Sequence, residues 1–415
     1  MRRLTTIMAS LAMAVSGFFA STVAAIAAPP LNQLACGATI TADTTLRRDL
    51  VDCPGFGLVV GADHITLNLN GHTIDGNGAL ATCGAVVPCD VGVDNRAGHH
   101  HVTIKGGTIR QFGTGVFSAN AENNVLKRLR ISQSQQLGVI ADAGSDTVIK
   151  HNVFDQNGTN GVVVLHSQRM LVKRNVVKGS RGFGVFTLDL QGSRINGNKL
   201  DMNDHGIAVF GDSRRNLVRA NTVRRSRGSA IDLGQGAQNR VDLNRLADNG
   251  DGIILTDEQH TIVSDNHLTG TGLYGFPDTG GFGVILDGAD ANTVRHNRVV
   301  EGRGPAILVT RLDSPTGADN NAVIGNVAGN NASDGIRIGE GTSGTKVRRN
   351  LAVGNGDDGI DVDAPATIVS RNTTKRNRDL GIEAVVGPRD GGGNRAYANG
   401  NPLQCTNIEC RGERR

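Results

Sequence analysis

A repeat of 22 to 24 residues runs through most of this 415-residue chain and constrains its fold more than any other feature. Each repeat contains a small residue followed by an aliphatic one, in a series that includes Gly92-Val93, Gly115-Val116, Gly138-Val139, Gly161-Val162 and, at its end, Gly381-Ile382. Two longer spacings come from insertions at residues 273–281 and 313–320. Internal repeats of this length are the signature of a solenoid.

A second series keeps the same period, and its members are asparagines that end short alternating strands: Asn152, Asn175, Asn198, Asn221, Asn244, Asn266, Asn297, Asn326, Asn350, Asn372 and Asn394. Turn residues separate three such strands in each repeat. A strand of four or five residues cannot bury its apolar edge alone, so the next coil must stack on it about 4.8 Å away. Asparagines stacked in this way can hydrogen-bond from coil to coil and tolerate the left-handed turn conformation.

We therefore predict an all-β chain that forms one parallel β-helix, a solenoid of about 14 coils with 22 to 24 residues in each. A leucine-rich repeat would need its fixed Leu pattern, and a propeller would need a period nearer 40. The 57 glycines and the absence of Trp agree with many short strands joined by tight turns.

The chain resembles the superfamily of right-handed parallel β-helix proteins, which includes pectate-lyase-like enzymes and secreted bacterial proteins that bind or hydrolyse sugars. The resemblance covers about residues 36–400, and residues 36–53 and 65–74 look like the N-terminal cap and first coil of that group. Right-handedness follows from the usual crossover preference and from the resemblance. We expect a signal segment at 1–27, an N-terminal cap at 28–56, the β-helix at 57–400, and a C-terminal cap and tail at 401–415.

The first residues have the pattern of an export signal. Arg2 and Arg3 precede an apolar run from Ile7 to Ala20, and Ala25-Ile26-Ala27 offers small residues at the cleavage positions. A membrane anchor is the alternative, although the run is short for a span. No later stretch could cross a bilayer, so the mature chain is expected to be secreted or periplasmic.

Six cysteines remain after export and fall into three local pairs. We predict the disulfides Cys36–Cys53, Cys83–Cys89 and Cys405–Cys410, which would tether caps or loops whose own cores are small. Zinc binding is the alternative, but no Cys-x-x-Cys motif or pair of histidines accompanies them.

The upper coils carry the best candidate for a chemical site. Outward positions of the first strand place Arg337, Asp361 and Glu383 in successive coils, while Asp334 and Asp358 precede equivalent glycines. We expect catalytic roles for Arg337, Asp358, Asp361 and Glu383, and Ca²⁺ ligation by Asp334, Asp358, Asp361 and Asp363. The resemblance implies such chemistry, because lyases of acidic polysaccharides on this fold use Ca²⁺ and a basic residue. Ordinary Asp-Gly turns and a surface ion pair are the alternative.

Basic residues precede the asparagine series and form a stripe on the second strand of the coils. We expect Lys173, Arg174, Arg219, Arg348 and Arg349 to bind the acidic groups of a polymer; Lys150, Arg295 and Arg371 share the pattern. A solvated strand face is the alternative. A nucleic acid partner is not expected, because only 3% of the residues are aromatic.

Other motifs are incomplete. Asp357-Asp358 is similar to the acid pair of polygalacturonase-like hydrolases, but their Gly-His-Gly is absent. Residues 274–278 resemble a motif of alginate epimerases without its histidine. The run at 99–101 offers His ligands, as in β-helix accessory proteins of copper-enzyme maturation. His166 and Asp189 hold equivalent places and are expected to pair.

An apolar stripe occupies the remaining outward positions of the first strand: Phe117, Ile140, Val163, Phe186, Ala208 and, above Asp232, Ile254, Ile285 and Leu308. An exposed ribbon of that length would need a cover, and a homodimer or another protein is the expected one.

Two classes of function remain. The chain either binds and processes an acidic polysaccharide, as a lyase, hydrolase or epimerase does, or it is a non-catalytic surface protein that binds glycan or protein. A metal-site accessory protein is a more distant alternative.

Overall fold

The structure, a computed structural model, describes residues 34–79, 90–275, 280–312 and 317–412. The regular elements of these residues are 44 β-strands, and the strands pair in parallel between successive coils. The first strand of each coil enters a 15-stranded sheet, which we call the front sheet. Its strands are Ala38–Ile40, Leu58–Val60, Val91–Asn95, Thr114–Ala119, Leu137–Asp142, Asn160–Leu165, Phe183–Leu188, His205–Phe210, Ser229–Gly234, Asp251–Thr256, Val284–Asp287, Ile307–Thr310, Ile336–Ile338, Ile360–Val362 and Ile382–Ala384.

The other two strands of each coil form two further columns. The second column contains Thr44–Thr45, Thr66–Asn68, Val148–Lys150, Leu171–Lys173, Arg194–Asn196, Leu217–Arg219, Arg240–Asp242, Ile262–Ser264, Thr293–Arg295, Ala322–Ile324, Lys346–Arg348, Ile368–Ser370 and Arg389–Asp390. The third contains Leu50–Cys53, Thr73–Gly76, Val153–Asp155, Val176–Lys178, Lys199–Asp201, Thr222–Arg224, Arg245–Ala247, His267–Thr269, Arg298–Val300, Val327–Gly329, Leu351–Val353, Thr373–Lys375, Asn394–Tyr397 and Cys410–Arg411. Thr103–Arg110 and Val125–Ser132 are long strands that run through both columns.

The predicted all-β parallel solenoid is confirmed. The front sheet has 15 strands, one more than the predicted number of coils, because Ala38–Ile40, in the segment assigned to the N-terminal cap, already pairs with Leu58–Val60. Val139, Val162 and Val185 stack in register with their side chains fully buried, whereas Ile140 and Phe186, one position on, remain half-buried on the outer surface. The alternation between core and surface is therefore the one that the sequence predicts.

The asparagine series forms a continuous buried ladder. The Asn175 side-chain amide donates to the Asn198 carbonyl oxygen at 3.0 Å and to the backbone carbonyl of Ile149 at 2.9 Å, and the same pattern continues from Asn152 to Asn394. A second ladder, absent from our sequence reading, joins Asn331, Asn355, Asn377 and Asn399. Each ladder satisfies the polar groups of a tight corner that the coil would otherwise bury unpaired.

Two of the predicted disulfides, Cys36–Cys53 and Cys405–Cys410, are confirmed and lie near the two ends of the solenoid. The predicted Cys83–Cys89 bridge and the predicted signal segment at 1–27 lie outside the described residues. Disulfides are typical of proteins in oxidising compartments outside the cytosol. In the part of the chain that the structure describes, no helix is long and apolar enough to cross a membrane.

Candidate functional site

The upper end of the front sheet carries a column of charged side chains on its outer surface. Parallel pairing sets Leu308 beside Arg337, Arg337 beside Asp361, and Asp361 beside Glu383. Successive coils lie about 4.8 Å apart, so a guanidinium and two carboxyl groups occupy three neighbouring steps. The structure thus brings together three of the four residues for which we expect catalytic roles.

The fourth, Asp358, lies with Asp334 in the turns that enter this part of the sheet. Asp334 accepts a hydrogen bond from the backbone N–H of Asp358 at 3.1 Å, and Asp358 accepts one from Leu380 at 2.7 Å. Each carboxylate is therefore tied to the backbone of the coil above. The neighbouring Gly335 has no room for a side chain, since a Cβ there would lie 2.4 Å from the carbonyl oxygen of Gly359.

Arg337 lies at the centre of the carboxyl groups. Its Nη2 donates to Asp363 Oδ2 at 2.9 Å, and its Nε is 3.4 Å from Asp361 Oδ2. A third carboxylate, that of Asp334, lies 3.9 Å from Nη1. The Arg337 side chain is 45% exposed, whereas Asp334 and Asp358 are buried, so the guanidinium is more accessible to a ligand than these two carboxyl groups.

Burial sets the protonation of this cluster. Desolvation raises the pKa of Asp361 to about 7, and the nearby Asp363 carboxylate contributes in the same direction. Desolvation and a hydrogen bond with Glu383 raise the pKa of Asp358 to about 8. Burial opposes the charge of Arg337, but Asp361 and Asp363 outweigh that effect and raise its pKa. Near neutral pH the cluster therefore holds a fixed cation beside carboxyl groups that exchange protons.

The residues predicted to bind Ca²⁺ divide into two groups. Carboxylate oxygens of Asp334, Asp357 and Asp358 lie within 4.8 Å of one another, and Asp361 and Asp363 face Arg337 instead. Oxygen ligands without nitrogen or sulfur suit a hard cation such as Ca²⁺. The donor set at Asp334, Asp357 and Asp358 fits Ca²⁺, with Asp357 in place of the two predicted ligands on the front sheet.

A second group of titratable residues lies lower on the same face, and our sequence reading did not propose it as a site. Desolvation raises the pKa of Asp232 to about 7 and raises that of Asp251, while burial lowers the pKa of His205 to about 4. The Ser229 hydroxyl donates to Asp232 at 3.3 Å and lies 3.3 Å from His205 Nδ1. The outward position of Asp232 within an apolar column is the sequence signal that could have indicated it.

The apolar stripe is in register as predicted, but it is less open than a continuous exposed ribbon. Val163, Ala208, Ile285 and Leu308 are each at most 6% exposed. The remaining members are half-buried. Phe186, for example, packs against Phe183 and Phe210, with ring centroids 5.4 and 6.0 Å away. Within the stripe, Ile254, Ile285 and Leu308 lie between the cluster around Asp232 and the cluster around Arg337.

The residues predicted to bind substrate lie on another face of the solenoid. Lys173 and Arg174 are at the end of a second-column strand, around a corner from the front sheet. Arg219 is paired with the buried Asp242 at 3.1 Å, and Arg348 stacks between the uncharged Ile324 and Ser370. The predicted stripe is therefore interrupted in the upper coils and does not extend the carboxyl cluster.

The histidines take part in separate contacts. His99 Nδ1 lies 3.1 Å from Asp63, His100 Nδ1 accepts a hydrogen bond from the Glu122 N–H, and His101 stacks on His64 at 4.4 Å. Among the described residues these rings do not converge on one metal position.

The other weak motifs have more limited outcomes. His166 lies 3.7 Å from Asp189, as expected, and closer, at 2.9 Å, to Asp142. Of the segment similar to an epimerase motif, Tyr274 is exposed, and residues 276–278 lie outside the described residues.

Two family models match the chain. The model for a right handed beta helix region matches residues 188–329 and 278–406, which together are more than half of the chain. The model for a periplasmic copper-binding protein, NosD, matches residues 71–222. No curated protein has a sequence that matches the chain significantly.

Solved structures share the architecture at low sequence identity. An alginate lyase, AlyF-OU02, in complex with G6 superposes with a TM-score of 0.53 at 11% identity, over 76% of this chain and 83% of that one. The A-module of the Azotobacter vinelandii mannuronan C-5 epimerase AlgE6 gives a TM-score of 0.47 at 15% identity, over 81% and 88%. A tailspike protein of Escherichia coli bacteriophage HK620 in complex with a hexasaccharide gives a TM-score of 0.48 at 12% identity, over 90% of this chain and 73% of that one. At such identities the likeness concerns the fold.

Proposed function

Because this chain belongs to the family of right-handed β-helix proteins, we propose that it is an exported protein that binds an acidic polysaccharide on its front sheet and processes it there. The observation that carries this proposal is the site around Arg337. A partly exposed guanidinium lies against carboxyl groups, and desolvation raises the pKa values of two of them, Asp361 and Asp358, to about 7 and about 8.

Arg337 is the residue that would hold an acidic sugar. Because burial raises the pKa values of Asp358 and Asp361, these two groups keep protons toward neutral pH and do not fully neutralise the guanidinium. A carboxylate on the sugar can then make a charge-assisted, bidentate contact with Arg337. Asp363 would be the group that such a ligand displaces, because its hydrogen bond to Arg337 lies at the exposed side of the cluster.

Asp361 and Asp358 would move the protons. A carboxyl group whose pKa lies near the working pH can donate a proton in one step and accept one in another. Elimination and epimerisation both begin when a base removes the proton next to the sugar carboxylate, and contact with Arg337 would stabilise the negative charge that develops. Hydrolysis would use the same pair as acid and base. Glu383 shares a hydrogen bond with Asp358 and would keep it protonated.

Ca²⁺ bound by Asp334, Asp357 and Asp358 would displace the proton of Asp358, so Asp361 would then be the group that exchanges protons. The cation would add a second positive charge beside Arg337 and support binding of the polymer. Asp334 and Asp358 each already accept a backbone N–H, which holds their oxygens in place for such a ligand. The likeness in fold to an alginate lyase agrees with an acidic polymer as the substrate class.

The mature chain should be screened against uronate polymers, with and without Ca²⁺, by three product measurements. Absorbance of unsaturated sugars detects elimination, new reducing ends detect hydrolysis, and NMR of the sugar ring detects epimerisation. We expect turnover of at least one polymer, and Asp361→Asn should reduce it by about 10² to 10⁴-fold.

The matched control is Asp212→Asn, which removes an exposed carboxylate that pairs only with Arg214 among the described ion pairs. Its turnover should equal that of the natural chain. Binding without turnover under any of the three measurements would favour the non-catalytic glycan-binding alternative. Turnover that survives both Asp361→Asn and Arg337→Gln would remove this site from the mechanism.

A further inference from the structure

Four lysines lie directly above one another on the second column of the lower coils. Parallel pairing sets Lys105 beside Lys127, Lys127 beside Lys150, and Lys150 beside Lys173. The same column has Asn68 below this series and Asn196 above it. We call the four residues the lysine ladder. It spans three coil steps, or about 14 Å, along the axis of the solenoid.

The ladder is not neutralised within the described part of the chain. Its lysines form no ion pair there, and neither does Arg128, which follows Lys127 at the corner, or Arg174, which follows Lys173. Farther up the same column Arg219, by contrast, lies against Asp242 in the next coil and pairs with it. Like charges placed directly opposite each other on neighbouring strands are destabilising. Four such lysines in a row therefore reduce stability on their own, and an anionic partner would relieve their repulsion.

The surface is narrow and open. On one side of the ladder, half-buried aliphatic side chains of Val125, Val148 and Leu171 occupy the outward position two residues earlier. Around the next corner the positive charge is partly offset, because Asp155 pairs with both Arg130 and Lys178. Shallow depressions of about 260 and about 370 Å³ lie over the ladder and its corner residues.

We propose that the lysine ladder is a docking site for a linear acidic polysaccharide that lies along the solenoid axis. A single row of cations at a regular spacing complements an extended chain with regularly spaced anionic groups. The ladder would hold the polymer on a face separate from the carboxyl cluster, and so keep it near the protein between chemical events. This inference rests on the proposed function for the substrate class, but not on catalysis.

Two other polyanions fit the charge less well. A nucleic acid strand would gain from aromatic side chains on which bases stack, and the residues that line the two depressions include no Phe, Tyr or Trp and only one imidazole, that of His151. An anionic membrane would require a wide basic face, whereas this one is a single column, and Asp155 offsets part of the positive charge around its corner. Both remain outcomes of the test.

The experiment measures binding of the full mature chain to alginate, polygalacturonate, single-stranded DNA and vesicles with anionic lipid. Calorimetry at low salt is repeated at increasing salt. The test variant is Lys127→Gln with Lys150→Gln. The control is Lys178→Gln. Lys178 lies in the same coil as Lys173 but on the third column, where it pairs with Asp155.

We expect the double variant to weaken binding of a uronate polymer by about tenfold or more and to flatten its salt dependence, since released counterions scale with neutralised charges. Lys178→Gln should change the dissociation constant by less than about twofold. Equal losses in the two variants, or an unchanged dissociation constant in the double variant, would overturn the proposal. Tighter binding of DNA or vesicles than of either polymer would also overturn it.

The measurements separate this inference from the proposed function. Asp361→Asn should leave binding at the ladder unchanged, and the double variant should leave turnover of a short oligosaccharide unchanged. A protein that binds polymer through the ladder but shows no turnover would contradict the proposed catalysis alone. A protein that turns over short substrates, but whose binding of the polymer is unchanged in the double variant, would contradict the docking site alone.

Discussion

Replacement of Asp361 by asparagine tests the electrostatic basis of the proposed site without a substrate. Desolvation raises the pKa of Asp361 from 3.8 to about 7, so the folded protein holds a proton there that the unfolded chain has lost over that range. The free energy of unfolding must then fall as pH rises from about 4 to about 7. A shift of about three pKa units at 1.36 kcal/mol each gives an upper limit of about 4 kcal/mol.

Asp361→Asn has no proton to lose at this position, so its stability relative to the natural chain should increase by about 2 to 4 kcal/mol between pH 4 and pH 8. The lower value allows for the part of the side chain, 11%, that remains exposed. Urea unfolding at five pH values measures the difference. Hydrogen exchange in the upper coils should be measured alongside urea unfolding, because a solenoid does not always unfold in one step.

Asp49→Asn is a control of opposite sign. A backbone hydrogen bond from Thr73 and the neighbouring His72 hold the pKa of Asp49 below its usual value, so the natural chain gains stability as that carboxyl ionises. The variant should lose stability relative to the natural chain as pH rises from 3 to 5. If the difference for Asp361→Asn instead stays constant within about 0.5 kcal/mol from pH 4 to 8, Asp361 ionises as in the unfolded chain, and the proposed proton donor is lost.

Two further predictions concern the scaffold. Asn198→Ala removes four hydrogen bonds of 2.9 to 3.0 Å from the asparagine ladder and should lower the free energy of unfolding in urea by about 4 kcal/mol. Asn196 is half-buried on the same coil but outside that ladder, so Asn196→Ala should cost less than about 0.5 kcal/mol. Similar losses in the two variants would contradict the role of the asparagine ladder. The homodimer through the apolar stripe stays a prediction: light scattering should show a dimer at micromolar concentration that Phe117→Asp with Phe186→Asp dissociates, and a monomeric natural chain would contradict it.

The sequence determined the architecture, because each coil forms from a short local pattern that repeats along the chain. The small–aliphatic pairs predict which side of each front strand faces the core, and Val162 and Ile140 lie as expected. The asparagine series predicts its own ladder, since identical residues at one period must stack. Two disulfides followed from their short separations of 17 and 5 residues.

The sequence also indicated part of the candidate site. Arg337, Asp361 and Glu383 could be placed on one face because the alternation within a strand and the period between coils fix both coordinates of a side chain. It could not indicate their protonation. The pKa of Asp358 depends on burial and on a hydrogen bond with Glu383, 25 residues later, and neither is visible in a local pattern.

The tertiary structure alone decided which charges meet. Lys105 and Lys127 belong to the lysine ladder, yet they precede corners without the asparagine that aligned the other repeats, so only strand pairing reveals them. Arg219 has the same sequence context as Lys173 but faces a buried aspartate in the next coil. A repeat specifies the position of each side chain. Whether that side chain is paired with an opposite charge, and how far it is exposed to solvent, depends on the neighbours that stacking places beside it.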